Sequence, residues 1–210
     1  MQERPGRHPD IIAFLCTRVK SPGLHDWKKL LRLLRYLKKT KSLVTTLGAD
    51  DTNIVRWYAD AAFAFHPDMR SHSGGVMTMG LGGITSISSK QKLNTKSSTE
   101  AELVGADDVL GPLLWAKYFL EEQNYDCKGT VLYQDNQSAI LLEKNGRESS
   151  SKRTRHINIR YYFIKDNIKR KELTVEYCPT DDMLADFFTK PLQGEKFRKF
   201  RRRIMHLDRD

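Results

Sequence analysis

From Ile54 onward, the chain alternates between segments typical of strands and segments typical of helices. Residues 54–65 are rich in β-branched and aromatic side chains, which predicts a strand. Strand-like segments at 75–80 and 84–90 are separated by Leu81-Gly82-Gly83, a sequence typical of a hairpin turn. The polar stretch HPDMRSHSGG, which comes before this hairpin, predicts a loop. The alternation continues to residue 207, so the sequence predicts a mixed α/β sheet with helices packed on it.

The later segments are bounded by ordinary capping and breaking residues. Serines and a threonine precede a helical pattern over 96–123, and Gly111-Pro112 predicts a kink or a split within that helix. The remaining predicted elements are a strand at 130–135, a helix at 136–146, a basic helix at 156–171, a strand at 172–179, a helix at 180–190 capped by Thr180, and a basic helix or frayed tail at 194–207.

A helical region precedes the α/β pattern. Residues 9–40 predict two amphipathic runs, broken at Ser21-Pro22-Gly23. In the second run, apolar residues recur at spacings of three and four, so one face is expected to be buried. The Lys and Arg residues between them either form a solvated face or contact nucleic acid directly. Residues 41–53 predict a short strand and a turn.

Composition favours a polyanionic partner. The formal net charge is +10 and the sequence pI is about 9.5, which favours nucleic acid over a membrane surface. Cys16, Cys127 and Cys178 are far apart and form no Cys-x-x-Cys pair, so the sequence predicts a reducing compartment without a disulfide framework or a structural zinc site. The abrupt polar start predicts a fragment of a longer polypeptide, and the absence of a signal-like segment predicts an intracellular protein that is not secreted.

Four acidic residues stand near junctions between the predicted elements: Asp60, Glu102, Asp135 and Asp186. A buried carboxylate such as Asp60 is costly unless it is paired or binds a metal, although a water-facing strand end is the alternative. Asp135 is either a helix N-cap or a ligand presented at the carboxyl end of a strand. Glu100 competes with Glu102 for the same role, and Asp186 taken alone is weak evidence. As a set, the four acids predict a site for two divalent metal ions, a common means of cleaving phosphodiester bonds.

Several strings of the sequence then resemble a known family. SSTEAEL, YQDNQSAILLEKNG, KRTRHINIRYYFIKD and LADFFTKPL, together with WYADAAFA and the upstream WKKLLRLLRYLKKTK, are similar to the ribonuclease H domain of copia-type LTR retrotransposon polyproteins. They cover most of residues 9–193 in the order found in that family. The resemblance divides the chain into the helical end of a reverse transcriptase at 1–50, a ribonuclease H-like domain at 51–192 and a basic tail at 193–210.

The resemblance implies a ribonuclease H-like fold, a mixed five-stranded sheet with helices on both faces. It implies hydrolysis of the RNA strand of RNA–DNA hybrids, with Asp60, Glu102, Asp135 and Asp186 as ligands of two Mg²⁺ ions, or of Mn²⁺ in their place. By motif match, Asp60 and Asp186 would hold one ion, and Asp60, Glu102 and Asp135 the other. The predicted nucleic-acid contacts are Ser98, Asn136, Gln137, Lys152, Arg153 and Arg155, and helix capping is the alternative for the first three.

The resemblance also carries departures and alternatives. Many members of the family have a second Asp two residues after the first, where this chain has Ala62. The polymerase palm with its paired aspartates is missing from the sequence, so no DNA synthesis is expected from this chain alone. The expected partners are an RNA–DNA hybrid and the remainder of a reverse transcriptase polyprotein, in a cytoplasmic particle or the nucleus. The alternative to an active nuclease is a non-catalytic nucleic-acid-binding remnant of such an element.

Overall fold

The computed structural model describes residues 9–145 and 158–207. Within these residues, five strands form one mixed sheet in the order β5-β3-β2-β6-β7, and β1 and β4 form a separate two-stranded ribbon. The strands are β1 Gly48–Ala49, β2 Ile54–Ala62, β3 His72–Thr78, β4 Gly80–Leu81, β5 Thr85–Lys90, β6 Gly129–Gln134 and β7 Thr174–Tyr177. The helices are α1 Pro9–Cys16, α2 Leu24–Thr40, α3 Ser98–Glu122, α4 Gln137–Asn145, α5 Asn158–Lys169, α6 Asp186–Thr189 and α7 Gly194–Met205.

Strand β2 lies at the centre of the sheet. It pairs antiparallel with β3, so that Asp60 lies opposite Gly74, and parallel with β6, so that Tyr58 lies opposite Tyr133. The edge strands follow the same senses, since β5 is antiparallel to β3 and β7 is parallel to β6. Because β2 and β6 are parallel, their carboxyl ends meet at one edge of the sheet, where a site can be assembled.

Helices cover both faces of this sheet. On one face, α3 packs over Trp57 of β2, and Val109 lies so close to Gly75 that an added Cβ there would come within 2.9 Å of it. On the other face, Val76 of β3 packs with Leu184, Phe188 and Phe200, which belong to α6, α7 and the segment before them. The mixed five-stranded sheet with helices on both faces, which the resemblance implied, is therefore confirmed.

Three local predictions were wrong. Helix α3 runs unbroken through Gly111-Pro112, so the predicted split is wrong, while a kink stays a prediction. The proline is on the exposed face, and Leu110, Leu113 and Leu114 bury the other side. Strand β3 starts at His72, inside the predicted loop, because its small polar residues are buried at the centre of the sheet. The predicted helix at 180–190 is limited to Asp186–Thr189 with Ala185 as its N-cap residue, and Thr180 does not cap it.

The two N-terminal helices pack against the sheet domain. Helix α1 contacts β5 and α6, and Tyr36 of α2 meets Phe197 of α7 with ring centroids 6.2 Å apart. The break between α1 and α2 falls where Ser21-Pro22-Gly23 predicted it. The domain boundaries at 50/51 and 192/193 stay predictions. None of the helices in the described ranges has the length and apolar character needed to span a membrane.

Candidate active site

Three carboxylates converge at the edge of the sheet where β2 and β6 end. Asp60 lies two residues after Tyr58 and Asp135 two residues after Tyr133, so the parallel pairing of the two tyrosines places both acids side by side. Glu102, in the first turns of α3, completes the group. One oxygen from each of the three lies within 4.8 Å of the others, and Asp60 and Glu102 are buried. Carboxylates this close offer the hard oxygen ligands that Mg²⁺ prefers.

The fourth predicted acid, Asp186, joins this group through a lysine. Asp186 is buried at the start of α6 and lies outside the three-carboxylate cluster. The ammonium of Lys190 lies 2.6 Å from Asp186 Oδ1 and 3.1 Å from Asp60 Oδ1. The same nitrogen is 4.0 Å from Asp135 Oδ2. We call Asp60, Glu102, Asp135 and Asp186 the acidic centre.

Burial and mutual repulsion shift the pKa values of this centre. Burial, followed by the charges of Asp60 and Asp135, raises the pKa of Glu102 well above its ordinary value. Burial also raises the pKa of Asp60, although Lys190 and the hydroxyl of Thr189 oppose the rise. Each negative charge therefore makes the next one costlier, and a cation placed among the oxygens would relieve that cost.

Lys190 carries part of this compensation. Burial by itself would lower its pKa, but Asp60 and Asp186 act more strongly together and leave it above the ordinary value. The side chain thus stays an ammonium. Asp186 receives a second lysine on its other oxygen, since Lys196 Nζ lies 3.0 Å from Asp186 Oδ2. The oxygens of this centre accordingly attract positive charge, as metal ligands must.

Neighbouring groups orient the acids. The hydroxyl of Thr189 donates to Asp60 Oδ2, and the hydroxyl of Thr180 donates to Asp135 Oδ2 at 3.1 Å. The predicted cap role of Thr180 is thus replaced by a hydrogen bond to an acid. Asp135 itself is not the cap of α4, because Asn136 Oδ1 accepts the Ala139 amide at 3.1 Å.

The choice between Glu100 and Glu102 follows from the start of α3. Ser97 is the N-cap residue and accepts from the Glu100 amide at 3.2 Å, while a Glu100 carboxylate oxygen accepts from the Lys96 amide at 2.7 Å. Glu100 therefore closes a local turn around the helix start. Glu102 is left to face the carboxylates of Asp60 and Asp135.

The predicted nucleic-acid residues separate into three groups. Asn136 and Gln137 line an open cleft of about 570 Å³ together with Glu102, Asp135 and Lys190. Ser98 is exposed in the first turn of α3. The last group, Lys152, Arg153 and Arg155, lies outside the described residues. Contact of any of these residues with nucleic acid stays a prediction.

The basic segment at 196–203 is partly neutralised within the molecule. Lys196 binds Asp186, and Lys199 and Arg203 both bind Asp182 at 3.1 and 3.0 Å. This face of α7 thus attaches the helix to the segment that carries Asp186. Part of the positive charge of this basic segment is therefore used in internal ion pairs.

Thr189, Lys190 and Lys196 are site residues that the sequence reasoning missed. The signal for Lys190 was present, because it follows Asp186 by four residues and neighbours at that spacing meet on a helix. The same short string, FFTK, also holds Thr189. Lys196 had no comparable signal, since its contact depends on how α7 folds back.

The sheet order and the carboxylates at its edge define a ribonuclease H-like α/β domain. No family model matches the chain. It is 35% identical over 193 residues to the retrovirus-related Pol polyprotein from transposon TNT 1-94 of Nicotiana tabacum, covering 90% of this chain and 14% of the relative. It is 34% identical over 185 residues to that from transposon RE2 of Arabidopsis thaliana, covering 87% of this chain and 13% of the relative. The chain belongs with these Pol polyproteins of copia-like plant transposons, and spans about one seventh of their length.

Solved structures with a similar fold were also found. LC11-RNase H1, isolated from compost, superposes with a TM-score of 0.46 at 15% identity over 64% of this chain and 91% of that one. The foamy viral protease-reverse transcriptase in complex with RNA/DNA hybrid gives 0.44 at 11% identity over 85% of this chain and 28% of that one.

Proposed function

We propose that this chain is a metal-dependent endonuclease that hydrolyses the RNA strand of RNA–DNA hybrids as the ribonuclease H part of a copia-type retrotransposon polyprotein. One observation carries the proposal: three carboxylates from separate segments of the chain, Asp60, Glu102 and Asp135, meet within 4.8 Å at the edge of the sheet. The homology of the chain to transposon Pol polyproteins supports the same proposal.

The residues present fit divalent metal ions. All the candidate ligands are carboxylates, the pKa of Glu102 is raised partly by its acidic neighbours, and the centre already accommodates the charge of Lys190. We assign Asp60, Glu102 and Asp135 to one Mg²⁺ and Asp60 with Asp186 to a second, with Mn²⁺ as a substitute. Such ions, when bound, activate water and stabilise the leaving oxygen of a phosphodiester.

The protein's own contribution is orientation and substrate contact. Thr189 and Thr180 donate hydrogen bonds to Asp60 and Asp135, which fixes the carboxylate planes before any ligand arrives. Asn136 and Gln137 line the open cleft beside Asp135, where amide side chains can bond to the 2′-hydroxyls that distinguish RNA from DNA. Ser98 is assigned to the same surface.

The proposal includes a place of action and a partner. The domain would work with the remainder of a reverse transcriptase, because the relatives are much longer than this chain. We place it inside the cell, in a cytoplasmic particle or the nucleus, which suits three cysteines that are all unpaired. DNA synthesis is not part of the proposal.

A cleavage assay tests the proposal. Purified chain is incubated with Mg²⁺ and a hybrid labelled on its RNA strand, with duplex RNA and duplex DNA as substrate controls. We expect cutting of the hybrid RNA only, its loss on chelation, and its loss in Asp60→Asn. The control variant Asp126→Asn makes the same chemical change at an exposed position and should cut like the parent.

The opposite result would favour the alternative. Hybrid binding without Mg²⁺-dependent cutting, with Asp60→Asn indistinguishable from Asp126→Asn, would show a non-catalytic binding remnant. Salt-dependent affinity would then be the main property of the chain, since phosphate contacts release counterions.

A further inference from the structure

The ammonium of Lys190 lies among the carboxylates of the acidic centre. Its nitrogen is 2.6 Å from Asp186 Oδ1, 3.1 Å from Asp60 Oδ1 and 4.0 Å from Asp135 Oδ2. Asp60 and Asp186 are buried, with side chains only 1% exposed, whereas the side chain of Lys190 is 37% exposed. One partly exposed ammonium thus links two buried carboxylates.

The position of Lys190 in the fold allows its ammonium to move from the carboxylates to solvent. The residue is the C-cap of α6 and has extended backbone angles, so its stem is not held within a helix. It also lines the open cleft that contains Glu102 and Asp135. A long lysine side chain can therefore turn from the carboxylates toward solvent without moving the backbone.

We propose that Lys190 is an internal counter-ion that holds the acidic centre together before metal binds and is displaced from it when metal binds. The inference rests on the proposed function, because it takes the acidic centre to be the metal site. A divalent ion and an ammonium are attracted to the same oxygens of Asp60 and Asp186, and they repel each other. Each therefore weakens the binding of the other by the same factor.

Lys196 shows what a purely orienting lysine looks like at the same acid. Its nitrogen binds the other oxygen of Asp186 at 3.0 Å and the Thr180 carbonyl at 3.0 Å. It is paired with Asp186 and Asp181 but not, among the described residues, with Asp60. Lys196 therefore holds one acid in place, whereas Lys190 bridges two acids of the centre.

Metal titration of matched variants tests the inference. Mn²⁺ binding to the metal-free chain is measured by calorimetry for the parent, Lys190→Met and Lys199→Met. Lys199 is a suitable control because it binds the half-exposed Asp182 and its loss changes the net charge equally. We expect Lys190→Met to bind Mn²⁺ about tenfold more tightly or better, the low end for a close charge pair, and Lys199→Met to stay close to the parent.

Thermal unfolding gives a second readout from the same samples. Without metal, Lys190→Met removes the ammonium between Asp60 and Asp186 and leaves Asp186 with Lys196 alone, so its Tm should fall below that of Lys199→Met. Saturating Mn²⁺ should then raise the Tm of Lys190→Met by more than it raises the Tm of the parent. Equal metal affinities and equal Tm shifts in the two variants would overturn the inference.

A third readout uses the unmodified chain and does not depend on a variant folding. Acetic anhydride labelling followed by mass spectrometry measures the reactivity of each lysine with and without Mn²⁺. Lys190 should become more reactive when the ion is present, while Lys199 should not change. Protection of Lys190 by Mn²⁺ would overturn the inference.

The outcomes also separate this inference from the proposed function. If the parent binds no Mn²⁺ at all and does not cut the hybrid, the proposed function fails and the inference falls with it. If the parent binds Mn²⁺ and cuts the hybrid, but Lys190→Met and Lys199→Met behave alike, only the inference fails.

Discussion

Two buried polar clusters flank α6 and hold it in different ways. The acidic centre holds it through Thr189 and Lys190, which bind Asp60. The second cluster, the histidine chain, consists of His66, His72 and Ser88. His66 Nε2 lies 3.1 Å from His72 Nδ1, His72 Nε2 lies 2.9 Å from Ser88 Oγ, and the Ser88 hydroxyl donates to the Phe188 carbonyl at 2.8 Å.

The histidine chain is neutral and its hydrogen bonds run in one direction. Because Ser88 donates to Phe188, His72 Nε2 must donate to Ser88 and His72 Nδ1 must accept from His66. Burial, followed by the nearby His66, lowers the pKa of His72 to about 4, so neither proton pattern nor charge changes at neutral pH. The acidic centre, by contrast, keeps more negative than positive charge in one place. The comparison teaches that the histidine chain fixes α6 without charge, whereas the acidic centre also attracts positive charge.

The largest expected effect removes one charge from the acidic centre. Asp135→Asn should lower hybrid cleavage on the order of a hundred- to a thousandfold, as the loss of one preorganised electrostatic group does elsewhere. Metal-free Tm should be unchanged or higher, because repulsion from Asp60 and Glu102 is relieved. Initial cleavage rates and unfolding scans measure the two effects. A clear fall in the metal-free Tm would instead show that Asp135 stabilises the fold. The acidic centre would then have a structural role, as the histidine chain does.

The next effect concerns the pH dependence of the histidine chain. His72 has a folded pKa of about 4, below its ordinary value of 6.5, so the unfolded chain binds more protons between these values. Its contribution to stability is full above pH 6.5 and is lost as pH falls toward 4, by up to about 3 kcal/mol. The pKa of His66 shifts in the same direction, because burial and the charge of Lys90 lower it against the opposing charge of Asp68.

Urea unfolding at several pH values between 7.5 and 4.5 measures this dependence. For each variant, the free energy of unfolding is plotted against pH. The difference in slope between His72→Gln and His25→Gln isolates the contribution of His72 from that of the acids that titrate in the same range. His25 is exposed and serves as the matched control. If His72→Gln keeps the full loss of stability on acidification, the histidine chain is not the buried neutral network described above.

A smaller effect is expected at Glu143, a third buried polar group. Burial raises the pKa of Glu143 to about 8, and the charge of Lys144 opposes the rise. Neither of its oxygens nor Gln134 Oε1 has a hydrogen-bond partner among the described residues. A proton on Glu143 lets it donate to Gln134, whose amide in turn lies 3.4 Å from the Glu102 carbonyl.

The sign of this effect is opposite to that of His72. Because the folded pKa of Glu143 lies above the ordinary 4.5, the native state holds the proton longer, and stability is lost as pH rises from 4.5 to 8. Glu143→Gln keeps a donor at every pH, so it should gain roughly 2 kcal/mol over the parent at pH 8 and little at pH 4.5. Urea unfolding at both pH values, with exposed Glu122→Gln as the control, measures it. An equal gain at both pH values would mean that Glu143 is not protonated in the fold.

The smallest effect separates two adjacent serines at the start of α3. Ser97 caps the helix, so Ser97→Ala should lower the free energy of unfolding by about 1 kcal/mol. Ser98→Ala should leave stability unchanged and weaken hybrid binding slightly, which titration of a labelled hybrid measures. If instead Ser98→Ala destabilises the chain and leaves hybrid binding intact, the predicted substrate contact at Ser98 is wrong.

The sequence predicted those parts of the fold that depend on local pattern. Strand β2, strand β6 and the acids near their carboxyl ends could be recognised because strand propensity and burial cost are properties of short segments. The contact between the ends of β2 and β6 needed only the parallel pairing expected for an α/β sheet.

The missing parts depended on contacts between distant segments. Thr180 reads as a helix cap, but its hydroxyl is used by Asp135, which is 45 residues away in sequence. His72 and its neighbours read as a loop because small polar residues seldom fill the centre of a sheet. The bridge from Lys190 to Asp60 spans 130 residues, and no local pattern contains it.

Gly74 lies beside Asp60 in the sheet, directly beneath α6. A Cβ added there would come within 2.4 Å of Thr189 Cγ2 and 2.9 Å of Phe188 Cβ, far inside normal contact. Any larger residue would lift α6 and with it Lys190 and the hydroxyl that orients Asp60. Strand β3, which lies opposite Asp60, thus sets the distance between α6 and the sheet. Even an alanine at Gly74, which adds no polar atom, would therefore disturb the geometry of the acidic centre.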